Sequence, residues 1–422
     1  MALYSPLLRS HQEAEASLLQ YGPEIELPGQ TGQGVYLVET FGELELEYAA
    51  LRKHCVLIDM AQRGTLELTG PDRLDFLNRM LTQELKGIAP GQVRRSFWLN
   101  RKGRIDADLR VIELGDRTLL DVDVHAVSRT MEGLSSYIIT EDCAIRDVTA
   151  QHHRLGLHGP TGVELLAALA GEQAGAVQTL EPDRTMRLTL AGESILLDRN
   201  DATGEIGLEL LCPTEHIEKL YRVLIESGSD PDAHNHEAGA ALARHAAPET
   251  LATRVRLRPA GWHAYNVARI ENGTALYNLD FTTENLPAET GVIDSRVSFT
   301  KGCYLGQEIV ARMHARGHPK QLLVALRIEQ PARQTAPAEF PDLLQPVTGS
   351  QIYTPPASGA PLADAVGAVT SSTISPMLGA AAICFAQVKF DHATAGNTLL
   401  AQTDGGLARA IVQTSLRFVT RG

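Results

Sequence analysis

The sequence predicts an α+β protein that ends in a β-barrel or sandwich, and three observations carry that expectation. A strand, a Gly-Pro step and an amphipathic helix follow one another at "GTLELTGPDRLDFLNRML", and the same grammar returns at "RLGLHGPTGVELLAALAG". A clean two-residue alternation runs through "RIDADLRVIEL". From about residue 320 onward the apolar runs are short, strand-like and separated by turn residues.

Composition sets the class. A chain of 422 residues, 44% hydrophobic and 21% charged, can bury a substantial core and is neither disordered nor fibrous. A formal charge of −13 disfavours stable contact with nucleic acid or an anionic membrane. Cys55, Cys143, Cys212, Cys303 and Cys384 stand singly without a Cys-x-x-Cys pair, which argues against a disulfide framework, a zinc site or a cluster held by this chain alone. The start lacks the apolar stretch of a signal peptide and no run is long enough to cross a bilayer, so a reducing cytoplasm is expected.

Along the chain, residues 1–44 are expected to be an irregular lead-in, being rich in Gly, Pro and Gln. "FGELELEYAALRKH" reads as a helix and "CVLIDMA" as a strand. Pro71 suits a first helical position, where its missing N–H has no partner to lose. "VRRSFWLNRKGRIDADLRVIEL" is a hairpin turning at residues 100–103, with Ile105, Ala107, Leu109 and Val111 on one face and Arg104, Asp106, Asp108 and Arg110 on the other. Strands follow at "TMRLTLAG" and "ESILLDRN", then a strand and helix at "GLELLCPTEHIEKLYRVLIESG". A helix through "GWHAYNVARIENG" ends at Gly273, a good left-handed cap. Residues 274–318 show little periodicity, and 331–361 read as a Pro/Ala/Gln-rich loop insertion.

Four places can carry chemistry. In "KGCYLGQEIVAR" Cys303 is either a small packing residue or a thiolate, stabilised by Lys301 and by backbone N–H groups that Gly302 and Gly306 let approach. His314 and His318 fit a solvated turn. In "TGEIGLEL" Glu205 sits between glycines, where it is either a turn residue or a carboxylate accepting two parallel hydrogen bonds from an amidine-like edge such as that of a pterin. Asp106 and Asp108 are either a proton-handling pair or members of an ordinary charge ladder with Arg104 and Arg110. Arg269 is either an anion-binding group or a favourable cation at a helix end.

"TGEIGLELLCP", "ARIENGTALYNLDF" and "GAVTSSTISPMLGAAAICFAQV" together resemble the glycine-cleavage T-protein family of tetrahydrofolate-dependent aminomethyltransferases. "KGCYLGQEIVAR" resembles the signature of that family's YgfZ branch, tied to iron–sulfur cluster assembly or repair and to tRNA-thiolating enzymes. The resemblance implies a three-lobed ring with tetrahydrofolate in its opening: a folate-binding core over 45–319, in lobes of about 45–145 and 146–319, and a β-barrel over 320–422. It implies cofactor contacts at Glu205, Arg269, Asp59, Met60 and Tyr277, with Met60 standing where the YgfZ branch has a stacking tryptophan. It implies catalytic roles for Cys303 and Lys301, and for Asp106 or Asp108 as the counterpart of the T-protein aspartate, here separated by Ala107. The implied function is a folate-binding accessory protein acting with iron–sulfur partners, or alternatively an aminomethyltransferase; no membrane or stable nucleic-acid partner is expected.

Overall fold

A computed structural model describes residues 5–27, 30–229, 249–330, 344–356, 362 and 364–419. The chain divides into two compact units, one of residues 1–96 and 107–265, the other of residues 97–106 and 266–422.

The first unit begins with more order than its composition promises. Residues expected to be irregular form a helix, α1 (Leu8–Glu13), and two paired antiparallel strands, β1 (Ser17–Leu27) and β2 (Gln30–Thr40). The reason is tertiary. Leu7, Tyr21, Val35, Leu37 and Val38 are buried, and the Tyr21 hydroxyl donates to Asp123 Oδ2 at 2.6 Å. Contacts far along the chain thus outweigh the weak local signal of Gly and Pro.

Two sheets follow, built to one plan. After α2 (Leu44–Lys53) and β3 (Cys55–Asp59), the first run is β4 (Arg63–Thr69), α3 (Arg73–Met80), β5 (Val93–Leu99), β6 (Ile105–Glu113), β7 (Thr118–Asp123), α4 (Val127–Ser135) and β8 (Ala144–Asp147). The second is β9 (His152–His158), α5 (Gly162–Leu169), α6 (Ala174–Gln178), β10 (Thr185–Leu190), β11 (Glu193–Arg199), β12 (Gly207–Pro213) and α7 (Ile217–Gly228). A helix at Glu249–Val255 and a short strand, β13 (Leu257–Pro259), complete it. The sheet orders are β5-β6-β7-β4-β8 and β10-β11-β12-β9-β3-β13.

The repeated strand, Gly-Pro and helix therefore mark two equivalent structural starts, and the runs exchange strands. β3, which directly precedes β4 in sequence, pairs with β9; β8, which directly precedes β9, pairs with β4. Each Gly-Pro step sits against the head of its neighbouring strand. Gly70 has φ +99°, and a Cβ there would lie 2.2 Å from Asp142 O; Gly159 has φ +128°, and a Cβ would lie 2.3 Å from His54 O. Only glycine fits either position. Pro71 sits in the turn ahead of α3 and not at its first helical position.

The hairpin turns where its sequence predicts, with Gly103 N–H donating to Asn100 O. Ile105, Ala107, Leu109 and Val111 are all buried. Arg110 departs from the exposed ladder expected of it, because its side chain is also buried and pairs with Asp198.

The second unit holds the helix residues after Tyr265, ending at Gly273 with φ +82° as its sequence predicts. Residues 274–318, which lack periodicity, hold a short helix at Ile293–Arg296 and a longer one at Gln307–Arg316. The C-terminal strands β14 (Gln321–Ile328), β15 (Gln351–Tyr353), β16 (Gly367–Ser375), β17 (Ala381–Lys389), β18 (Thr398–Thr403) and β19 (Gly406–Val412) close into a barrel. Barrel, not sandwich, is the outcome. Val324, Leu326, Ile352, Cys384, Ala386, Val388 and Ala410 fill its core by strand alternation. Of the expected loop insertion, residues 331–343 and 357–361 lie outside the described residues, while 351–353 form a barrel strand. Among the described residues no helix is long and apolar enough to cross a membrane.

Candidate functional site

In the first unit the segment "TGEIGLE" is a tightly determined turn. Gly204 has φ +80°, and a Cβ on Gly207 would lie 2.0 Å from Asn200 O, so both glycines are needed to shape it. Between them the Glu205 carboxylate is buried, with a side chain only 1% exposed. Arg52, at the end of α2, meets it: Nη1 donates to Glu205 Oε1 at 3.0 Å and to Thr203 O at 2.8 Å. The guanidinium also lies over the Tyr48 ring, 5.3 Å from its centroid. A buried carboxylate held by a charged bond at one oxygen is an oriented acceptor. Nothing in the local sequence marks Arg52, since its partner lies over 150 residues away in the chain.

Asp59 closes β3 and Met60 follows it, and both are buried. Asp59 is clamped by two imidazoles: His11 Nε2 lies 2.7 Å from Oδ2 and His153 Nε2 lies 2.6 Å from Oδ1. Its carboxylate is thus occupied from both sides by protein. Burial alone would raise this carboxyl, but the His153 charge and hydrogen bonds from both rings outweigh it and hold the pKa far below the usual range. The carboxylate therefore stabilises the fold above its unfolded pKa of about 4, and that contribution is lost as pH falls below it. We expect Asp59→Asn to flatten the fall in melting temperature between pH 5 and pH 3. Parallel curves for the two proteins would contradict this.

Behind these residues lies a buried ionic layer that sequence alone hides. Arg63 Nε donates to Asp121 Oδ1 at 2.9 Å, and Arg154 Nη1 to Glu209 Oε2 at 2.7 Å. Arg110 bonds Asp198. Asp121, Arg154, Glu209, Arg110 and Asp198 are buried and Arg63 is half-buried, although alternation sets Arg110 on the polar face of its strand.

In the second unit Asp106 stands on the hairpin, half-buried, its Oδ1 accepting from Asn100 Nδ2 at 3.1 Å. Asp108, two residues on and assigned to the first unit, is half-buried as well. Tyr277 is buried and its hydroxyl donates to Asp106 O at 2.8 Å, which fixes the hairpin backbone under the aspartate. Arg269 is 1% exposed, and all three of its nitrogens are engaged. Nε donates to Asn266 Oδ1 (2.8 Å), Nη1 to Asp280 Oδ2 (2.6 Å) and Thr274 O (3.1 Å), and Nη2 to Ser371 Oγ (2.6 Å). This is a helix bolted to barrel strand β16.

Cys303 is exposed, and a side chain at Gly302 would meet only open space. Cys55, Cys212 and Cys384 are buried, and burial pushes each thiol up to about 12. Lys301 is buried instead of reaching outward, with its ammonium 5.2 Å from the centre of the Tyr304 ring. Gly306, at φ +79°, starts the helix Gln307–Arg316, and a Cβ there would lie 2.9 Å from Asn100 O. Gly103 faces back, its would-be Cβ 2.8 Å from Ile309 Cβ. The two glycines let the cysteine loop and the hairpin turn bearing Asp106 pack against one another.

Comparison with known proteins places this geometry. An aminomethyltransferase from Synechococcus sp. (strain RCC307) is 26% identical over 417 residues, 97% of each chain. One from Halalkalibacterium halodurans is 26% identical over 339 residues, 80% of each. The crystal structure of the glycine cleavage system aminomethyltransferase T from Bartonella henselae superposes with a TM-score of 0.75 at 20% identity, over 99% of this chain and 98% of that one. The fold is thus the α+β architecture of that protein, closed C-terminal barrel included. The GCVT N-terminal domain matches residues 7–246, more than half of the chain, and the protein belongs to that family.

Proposed function

We propose that the chain binds tetrahydrofolate, with Glu205 gripping the edge of the pterin, and that it works in one-carbon transfer of the aminomethyl kind. The observation that carries this reading is the buried, Arg52-oriented Glu205 carboxylate on its two-glycine turn. An oriented carboxylate suits the amino and ring N–H pair of a pterin, two parallel donors. Met60, buried just after β3, offers a polarisable, adaptable apolar contact. Asp59 and Arg269 fit less well as ligand contacts, since His11 and His153 occupy the first and Asp280 and Ser371 the second. When bound, the folate would supply the nitrogen that accepts the one-carbon unit. Asp106, carried in the second unit on a hairpin braced by Tyr277, is a half-buried carboxylate able to orient or relay a proton. The names of the relatives, matched over 76–97% of the chain, favour this activity. Calorimetric titration of tetrahydrofolate, followed by an assay with an aminomethylated lipoyl carrier, tests both parts. Binding with methylenetetrahydrofolate formation is the expected result; absence of binding overturns the reading.

A second reading is favoured by one specific observation, the exposed Cys303 in a glycine-shaped loop. In that reading the chain is a folate-binding accessory of the YgfZ branch, its thiol serving iron–sulfur cluster assembly or repair and hence tRNA thiolation. Folate binding without carrier turnover, together with loss of tRNA thiolation in a Cys303→Ser strain, would select it. Full thiolation in that strain would eliminate it.

A further inference from the structure

His158, the last residue of β9, is fully buried, and among the described residues neither ring nitrogen has a hydrogen-bond partner. Burial lowers its pKa against the opposing pull of Glu209 and Asp201, so the ring is neutral at pH 7 and carries one donor and one acceptor. A buried polar ring with both nitrogens unanswered is uncommon and calls for a partner.

The surroundings show that the ring is seated by design of the backbone. A Cβ on Gly156 would lie 2.7 Å from His158 Nε2, and one on Gly207 would lie 2.9 Å from Nδ1. Two glycines on neighbouring strands therefore clear the space the imidazole occupies. The Met60 sulfur is 2.9 Å from that same Gly156 position, which places thioether and imidazole side by side. Gly207 lies two residues beyond Glu205 in the same turn. Tyr265 closes another side edge-on, with ring centroids 5.6 Å apart.

We infer that His158 is a second hydrogen-bonding group beside the Glu205 turn, and that it reads the polar edge of a neutral heterocyclic ligand through one donor and one acceptor. The inference rests on the tetrahydrofolate reading and adds to it a residue that discriminates among ligand heterocycles. Carboxylate and imidazole then act in different ways. Glu205 accepts two hydrogen bonds, whereas His158 gives one and takes one, which suits a ring nitrogen beside a carbonyl or N–H.

The test uses the full-length protein with tetrahydrofolate as the probe. Titrations compare wild type, His158→Phe, His158→Gln and Glu205→Gln, and nitrogen-15 spectra of histidine-labelled wild type follow the His158 ring. Support takes the form of about tenfold weaker binding in His158→Phe, partial recovery in His158→Gln, and a shift of a His158 ring nitrogen on saturation. Wild-type affinity in His158→Phe, with Glu205→Gln weakened, overturns the inference and leaves the folate reading standing. No binding by wild type overturns both. Should His158→Phe fail to fold, the wild-type spectrum decides alone: an unmoved ring signal at saturation overturns the inference.

Discussion

Replacing Arg269 by alanine should cost the protein about 3–5 kcal/mol, because it leaves the Asp280 carboxylate buried and uncompensated. The pair is 1% and 0% exposed at a separation of 2.6 Å. Asp280 also accepts from Leu276 N–H at 2.8 Å, from Thr370 Oγ1 at 3.0 Å and from Ser371 Oγ at 2.6 Å, so the network pins helix end, following turn and barrel strand together. The paired change Arg269→Met with Asp280→Leu should recover most of the loss, since an apolar pair strands no charge. Urea denaturation of the three variants measures this. If the single alanine variant loses less than about 1 kcal/mol and instead loses folate affinity, Arg269 serves the ligand and not the fold.

Glu205→Gln should weaken tetrahydrofolate binding roughly 10- to 100-fold, the worth of one or two charge-assisted hydrogen bonds. The substitution keeps shape and volume, so the turn survives. What changes is the sign of one terminal group: an amide places a donor where the carboxylate had an acceptor, facing either Arg52 or the ligand. Arg52→Lys supplies the complementary measurement. A lysine keeps the charge facing Glu205 but loses the Nε–H bond to the Tyr48 hydroxyl and the planar group over that ring, so it should weaken binding by less than the glutamine change. Equal affinities for wild type and Glu205→Gln would remove Glu205 from the site.

Much of the architecture is written locally. The alternation over 105–111, the turn at 100–103, the Gly273 cap and the doubled Gly-Pro step all emerge where their residues predict. Those features depend on neighbours a few positions apart. The lead-in was illegible because its order comes from distant partners, His11 on Asp59 and Tyr21 on Asp123. For the same reason Arg110 reads as a surface charge, since its carboxylate partner is 88 positions along the chain. The site divides likewise. Glycine spacing singles out Glu205 and Cys303, but no spacing pairs Arg52 with the first or shows that Lys301 turns inward beneath the second. The segment "ARIENG" singles out Arg269, and its surroundings in the barrel give it a stabilising part.

The exchange of β3 and β8 between the two sheets has a further effect on how the chain can be handled. A cut made between β7 and β8 would strip each fragment of a strand that its own sheet needs, leaving complementary open edges on both. Neither fragment would be an independent module. Mixed together, they would reassociate as a complementing pair, and a polypeptide emerging from the ribosome cannot finish its first sheet until β8 has appeared or its second until β9 has reached back to β3.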